Sequence, residues 1–204
     1  MNNIHHIVYI NLDHRADRRA EVEGELSRMG LSGERFAAIK EHPGIVGCGK
    51  SHLAVLERAK ERAKEQGWEN VLILEDDFQF VVEREVVEAH LKAFFDLKIP
   101  YDVLMLSYAI DSKEPYNDIV CRATQAQTAS GYLVHSRFYD TLIANLKEAI
   151  PLLISTGRHW DYANDQYWKR LQPTSQWFCM NMRIGMQRAS YSDISDKFVY
   201  YGNC

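Results

Sequence analysis

The sequence predicts an α/β fold: a single domain with a mostly parallel central sheet flanked by helices. Three observations predict it. Strand-like and helix-like segments alternate from the first residues onward. The run "VLIL" at 71–74 has no polar alternation, as expected of a strand covered on both faces. Between the strands lie amphipathic segments whose apolar residues recur at helical spacing.

Taken in order, residues 4–12, "IHHIVYINL", are apolar and β-branched and read as a first strand. "DHRADRRAEVEGELSRMG" follows with helical composition and a stop at Gly30. A short second strand falls around "ERFAAI", and Pro43 and Gly44 turn the chain into "VGCGKSHLAVLERAKERAKEQG". There Leu53, Leu56, Ala59 or Lys60, and Ala63 form an apolar stripe, charged residues take the other face, and Gly67 ends the helix. "ENVLILEDD" is the next strand, residues 83–97 the next helix, Pro100 its break, and "YDVLMLS" a further buried strand. "DSKEPYND" reads as a polar loop, "SGYLVHS" as a strand, and "RFYDTLIANLKEAI" as a helix. The last fifty or so residues, rich in Trp, Tyr, Asp and Gln and punctuated by Pro151 and Pro173, have a surface-forming composition. No internal repeat or linker marks off a second domain.

Composition excludes several classes. With 46% apolar and 25% charged residues over 204 positions, the chain is neither disordered nor fibrous. A net charge of −4 gives no general attraction to nucleic acid or to an anionic membrane. The N-terminus predicts no signal peptide, and no apolar run approaches the roughly 20 residues a bilayer-spanning helix needs. The four cysteines, Cys48, Cys121, Cys179 and Cys204, form no Cys-x-x-Cys pair and read as free thiols of a cytoplasmic protein, one that meets a membrane only through its substrate.

The chemistry gathers where strands end. In a parallel sheet ligands bind beyond the C-terminal strand ends, which places Asn11, Leu12, Asp13 and Arg15 beside Glu75, Asp76 and Asp77. Three adjacent carboxylates repel one another, so a cation is expected near them. If the extended backbone persists, Glu75 and Asp77 share a face and suit Mg²⁺ or Mn²⁺; otherwise the acids cap a loop or pair with Lys and Arg. Arg15, Arg18 and Arg19 open the first helix and suit phosphate, although Arg18 or Arg19, each taken alone, reads better as a solvated residue paired with Asp17 or Glu21. In "GCGKSH", Gly47 and Gly49 permit close backbone approach ahead of a helix, and Ser51 and His52 offer side chains. Its glycines are too close together for a nucleoside-triphosphate phosphate loop. Late in the chain, "HWDYANDQYW" holds Asp161 and Asp165, four apart and on one side if helical, among aromatic residues. A helix cap or a surface pair accounts for either acid equally well.

Three stretches, "VYINLDHRADRR", "GCGKSHLAVLERAKERAKEQGWENVLILEDDF" and "GMQRASYSDI", together resemble glycosyltransferase family 25, which contains lipooligosaccharide and collagen hydroxylysine galactosyltransferases. The resemblance spans roughly residues 7–194 in the same order, and implies a single transferase domain whose residues 1–110 or so hold a nucleotide and whose residues 111–204 face the acceptor. It implies the nucleotide-sugar-binding GT-A fold, Mn²⁺ or Mg²⁺, and inverting transfer of a hexose from a UDP-sugar to a glycan, lipooligosaccharide or protein hydroxyl. By position it implies Asp77 and then Glu75 as metal ligands, with Asp76 at the ribose or sugar. Asn11, Leu12, Asp13, Arg15, Ser51, His52 and Gln187 would hold the donor. Inversion needs a carboxylate base, for which Asp161, Asp165 and Asp193 are the candidates. Relatives with a longer basic tail or a secretory signal differ from this chain, which leaves the acceptor type open.

Overall fold

A computed structural model describes residues 1, 3–194 and 197–202; Cys204 lies outside the described residues. The chain runs β1 (Ile7–Asn11), α1 (Ala16–Arg28), β2 (Glu34–Ala37), α2 (Gly44–Gln66), β3 (Asn70–Glu75), β4 (Phe78–Phe80), α3 (Arg84–Asp96) and β5 (Val103–Met105). It continues through β6 (Ala109–Pro115), β7 (Val120–Gln127), β8 (Gly131–His135), α4 (Tyr139–Thr156), α5 (His159–Tyr162), α6 (Asn164–Tyr167) and a 3₁₀ segment, Trp168–Thr174. The strands β9 (Trp177–Met180), β10 (Gly185–Gln187), β11 (Ser190–Ser192) and β12 (Lys197–Val199) complete it. No helix among the described residues is long and apolar enough to cross a membrane.

The central sheet has the order β2-β1-β3-β8-β5-β9-β7-β6. β1 pairs in parallel with β2 and β3, and β5 with β9, while β8 and β7 run antiparallel to their neighbours. The sheet is therefore mixed, with most strands pointing one way. Two small hairpin-like pairs, β4 with β10 and β11 with β12, stand outside it.

The pleat explains the unbroken "VLIL" run. Val71 and Ile73 join the core beneath α2 and α4, with Val55, Leu56, Leu142 and Leu146. Leu72 and Leu74 join the opposite core beneath α1 and α3, with Val22, Leu26, Val87 and Leu91. All four are at most 1% exposed, and each contributes about 1.5–3 kcal/mol by leaving water.

Four expectations are corrected. The polar stretch read as a loop is the edge strand β6, paired with β7; an edge strand facing solvent tolerates charge that a central strand does not. Helix α4 continues through Pro151 to Thr156 rather than ending there, and an αL glycine, Gly157, caps it. The late segment is not merely surface-forming: Trp177, Phe178, Cys179 and Met180 form the buried β9, and Trp168 is 3% exposed with Nε1 donating to the Ala126 carbonyl. Finally, "GCGKSH" lies inside the first turns of α2, not ahead of it.

Within those turns the two glycines differ. A Cβ on Gly47 would come within 2.3 Å of the Ile39 carbonyl oxygen, a backbone atom with little room to yield. A Cβ on Gly49 would meet only Ile150 side-chain carbons at 3.5 Å and beyond. Gly47→Ala is therefore expected to destabilise by about 2 kcal/mol or more, and Gly49→Ala to be neutral or stabilising by up to about 1 kcal/mol. Urea unfolding of the two variants checks the contrast; equal effects would contradict it.

Candidate active site

The C-terminal ends of β1 and β3 lie side by side, with Ile10 in register with Glu75. They open onto a cavity of about 500 Å³. Its wall includes Ile10, Leu12, Ala38 and Ile39, its floor Glu75, Asp76 and Asp77, and its far side Gln187, Asp193 and Tyr201. Residues from both halves of the chain thus enclose one space, so the late segment expected on the acceptor side also borders the floor.

The pleat that buries "VLIL" also distributes the acids. Glu75 follows Val71 and Ile73 toward α2, where it accepts hydrogen bonds from His52 Nε2 at 3.0 Å and Cys48 Sγ at 3.5 Å. Asp76 turns toward α1, accepting from Asn11 Nδ2 at 2.7 Å and Arg18 Nη1 at 2.9 Å. The strand ends at Glu75, so the alternation does not carry through to Asp77. Asp77 sits in the turn before β4, 3.3 Å from Arg18 Nη1, and accepts from Gln187 Nε2 at 3.1 Å.

Arg18 is the cation that the three acids require, and the structure corrects its reading as a solvated residue. It is 8% exposed and stands four residues before Val22 and eight before Leu26, at the head of the buried stripe of α1. Its Nη2 also donates to the Tyr191 carbonyl at 2.8 Å, tying the β11 segment to the floor. Arg19 is solvated as expected, but its partner is Glu23 rather than Asp17 or Glu21.

One guanidinium does not balance three carboxylates. Burial pushes the Asp77 carboxyl up to about 7, and the charge of Glu75 adds to the effect against the opposing pull of Arg18. Asp76 is also raised by burial, with Arg18 and Asn11 opposing. Burial pushes the Glu75 carboxyl up, but the hydrogen bonds from His52 and Cys48 and the charge of Arg18 together hold it below its ordinary value. Asp77 Oδ1 is buried without a hydrogen-bond partner among the described residues. An oxygen so placed suits an additional cation, and a hard divalent ion matches a carboxylate donor set.

The other expected residues fall into three groups. Leu12, Ser51 and His52 line the cavity, Ser51 Oγ bridging the Gly47 carbonyl and the Ile39 amide. Asn11 is 1% exposed and acts on Asp76 rather than on the open space; Arg35 donates to its Oδ1 at 3.0 Å. Asp13 and Arg15 do not line the cavity, which corrects their place in the pocket: Asp13 is exposed and paired with Arg35, and Arg15 is held by Asp17 and Asp193.

The base candidates separate as well. Asp161 and Asp165 are not on one helix, because Ala163 has ψ 153° and breaks the segment between them. Asp161 pairs with Arg158, whereas Asp165 accepts from the Thr128 amide, and burial raises its carboxyl. Only Asp193 of the three lines the cavity, bonded to Arg15 and to His14 Nε2 at 3.1 Å. Of the aromatic residues nearby, Trp168 is core, Tyr167 bonds Glu148, and Trp160 stands 60% exposed.

Lys40, His42, Cys48 and Tyr201 line the cavity but are absent from the residues the sequence singled out for the site. Lys40 and His42 follow a strand end as Arg15 does, a positional signal that was available. Cys48 lay within "GCGKSH" but was read only as a thiol.

Comparison with protein-family models finds no match, and no curated protein matches the sequence. Solved structures do match. The chain is similar to a glycosyltransferase involved in the glycosylation of the major capsid of PBCV-1, with TM-score 0.56, 12% identity, and coverage of 93% of this chain and 95% of that one. It is also similar to A197 from STIV, with TM-score 0.52, 10% identity, and coverage of 98% and 95%. At these identities the likeness is one of fold, and the fold is the GT-A-like α/β sandwich.

The raised Asp77 carboxyl has a measurable consequence. Between about pH 4 and about pH 7 the folded chain holds a proton that the unfolded chain releases, so this residue's contribution to stability falls as pH rises through that window. Asp77→Asn removes the fall. In metal-free buffer its thermal midpoint is expected to match wild type near pH 4 and to exceed it by several degrees at pH 8. A variant less stable than wild type at pH 8 would contradict the assignment.

Proposed function

We propose that this chain is a metal-dependent, inverting hexosyltransferase resembling glycosyltransferase family 25. It would use a UDP-sugar, galactose or glucose being the hexose, and a hydroxyl acceptor on a glycan, lipooligosaccharide or protein. The carrying observation is the excess of buried negative charge on the cavity floor, with Asp77 Oδ1 unpartnered beside one guanidinium. A space of about 500 Å³ with an apolar wall and a charged floor suits a nucleotide sugar. The fold likeness to a capsid glycosyltransferase supports the same reading.

Asp77 and Glu75 would hold Mn²⁺ or Mg²⁺, which supplies charge to a diphosphate leaving group. Arg18 fixes Asp76 and Asp77, and Asn11 fixes Asp76, so the floor is organised before a donor arrives. Asp76 would meet a ribose or sugar hydroxyl and the cavity-lining Leu12, Ser51 and His52 would border the donor, while Gln187 steadies Asp77. Lys40 and His42 bring positive charge to the rim. In the transfer the acceptor oxygen bonds to the anomeric carbon as the carbon–phosphate-oxygen bond breaks; the electron pair leaves with UDP. The acceptor proton passes to the pair formed by His14 and Asp193, the cavity-lining member of the three base candidates. Asp161 and Asp165 are then left to structural roles.

One feature favours a second reading. Arg18 already reaches both Asp76 and Asp77, as a permanent cation would. In a non-catalytic transferase-like domain the floor would need no metal, and the cavity would bind glycan or a protein partner.

Calorimetry of UDP binding with and without Mn²⁺ separates the two. Wild type is expected to bind UDP at least about tenfold more tightly with Mn²⁺, a gain of about 1.4 kcal/mol, and Asp77→Ala to lose that gain. Metal-independent binding, or none to any nucleotide, would overturn the transferase reading. Hydrolysis of a panel of nucleotide sugars would then identify the hexose.

A further inference from the structure

Cys48 and His52 are four residues apart on α2 and therefore project from the same side of one helix. That side faces the end of β3, where Glu75 Oε1 lies 3.0 Å from His52 Nε2 and 3.5 Å from Cys48 Sγ. The three donor atoms lie within 4.8 Å of one another. Around a tetrahedral Zn²⁺, with bonds of about 2.0–2.3 Å, ligand atoms stand roughly 3.3–3.7 Å apart. The two separations to Glu75 are already close to that spacing, and the third lies within 4.8 Å.

The surroundings match the donors. His52 is 1% exposed, and its Nδ1 stands 2.9 Å from the Tyr132 hydroxyl, itself buried. Metal binding would move the imidazole proton from Nε2, where it bonds Glu75, to Nδ1, which then donates to that hydroxyl and leaves the Nε2 lone pair to the metal, as outer-shell partners of metal-bound histidines commonly arrange. All three residues line the cavity, which leaves a fourth position open to water or a ligand atom. A thiol, an imidazole and one carboxylate form a softer donor set than Asp77 and its neighbours, and favour Zn²⁺ over Mg²⁺ or Mn²⁺.

We propose that Cys48 Sγ, His52 Nε2 and a Glu75 carboxylate oxygen form a Zn²⁺ site in the cavity, on the α2 side of Glu75, away from Asp77. On binding, the metal takes the place of the thiol proton, which passes to solvent. Glu75 belongs both to this site and to the hard-cation position at Asp77, so Zn²⁺ would draw it away from Mn²⁺. That consequence rests on the transferase reading; the site itself does not.

Metal-free protein titrated with Zn²⁺ by calorimetry is expected to bind one equivalent. Titrated with Co²⁺, it is expected to develop the near-ultraviolet absorption of a cobalt–thiolate bond. Cys48→Ser should abolish that absorption. It should also weaken Zn²⁺ binding by more than about 100-fold, since losing even an outer-shell partner costs about 10–100-fold. Tyr132→Phe keeps the packing and removes only that outer-shell partner, and should weaken binding about tenfold. Asp77→Ala should retain both the equivalent and the absorption. The site is overturned if wild type binds no equivalent, if cobalt absorption lacks the thiolate feature, if Cys48→Ser binds as wild type does, or if Asp77→Ala loses the metal. If no nucleotide binds while this pattern is found, the transferase reading fails and the Zn²⁺ site stands.

Discussion

Three carboxylates at the end of a buried strand and a single guanidinium to meet them form the constraint on which the cavity depends. β3 ends there after sharing its four apolar residues between two cores, and the chain re-enters the second core only past the acids, at Phe78 and Phe80. Burial of the four strand residues is worth about 1.5–3 kcal/mol each. Holding Asp77 at about 7 instead of 3.8 costs at most about 4 kcal/mol at neutral pH. The strand can therefore carry an unfavourable end. Arg18 limits the cost, and in doing so it gives α1 a charged residue where a helix of this kind would ordinarily bury an apolar one.

The same pleat decides which helix each acid meets. Glu75 goes to α2 and finds His52 and Cys48, whereas Asp76 goes to α1 and finds Arg18 and Asn11. From the far side, the end of β10 brings Gln187 to Asp77, and the β11 segment is held by Arg18 and by the Arg15–Asp193 pair. Arg15, expected among phosphate ligands, thus serves to hold the late segment against the first loop. Leu12, His14 and Gln187 meet in one cavity although most of the chain separates them.

Periodicity made the layers legible. The β1, α1, α2, β3, α3 and β8 segments follow from apolar spacing and from stops such as Gly67, whose φ of 71° lies in the region glycine favours. Pairing was less legible: an edge strand such as "AIDSKEP" carries little apolar signal, and "WFCM" is too short to tell a strand from a buried helical turn. In the site, the position of Glu75, Asp76 and Asp77 beside Asn11 and Leu12 could be read from strand ends. The burial of Arg18 had its own signal, the i, i+4, i+8 series with Val22 and Leu26, but charge alone suggested solvent. The break at Ala163 that separates Asp161 from Asp165 has no Gly or Pro to announce it; only tertiary packing decides it.

Glu75 joins the two halves of the floor. On one side it is the acceptor for His52 and Cys48, and on the other its charge contributes to the raised carboxyl of Asp77. Any cation that takes Glu75 toward α2 reduces the negative charge felt by Asp77. A cation shared with Asp77 leaves the His52 and Cys48 donors without their acceptor. The cavity is therefore electrostatically one unit: the occupant of either side sets the charge available on the other. On the proposed transferase reading, a floor carrying excess negative charge would repel a diphosphate until a cation is present, so the cation would bind before or together with the donor, whichever hexose that donor carries.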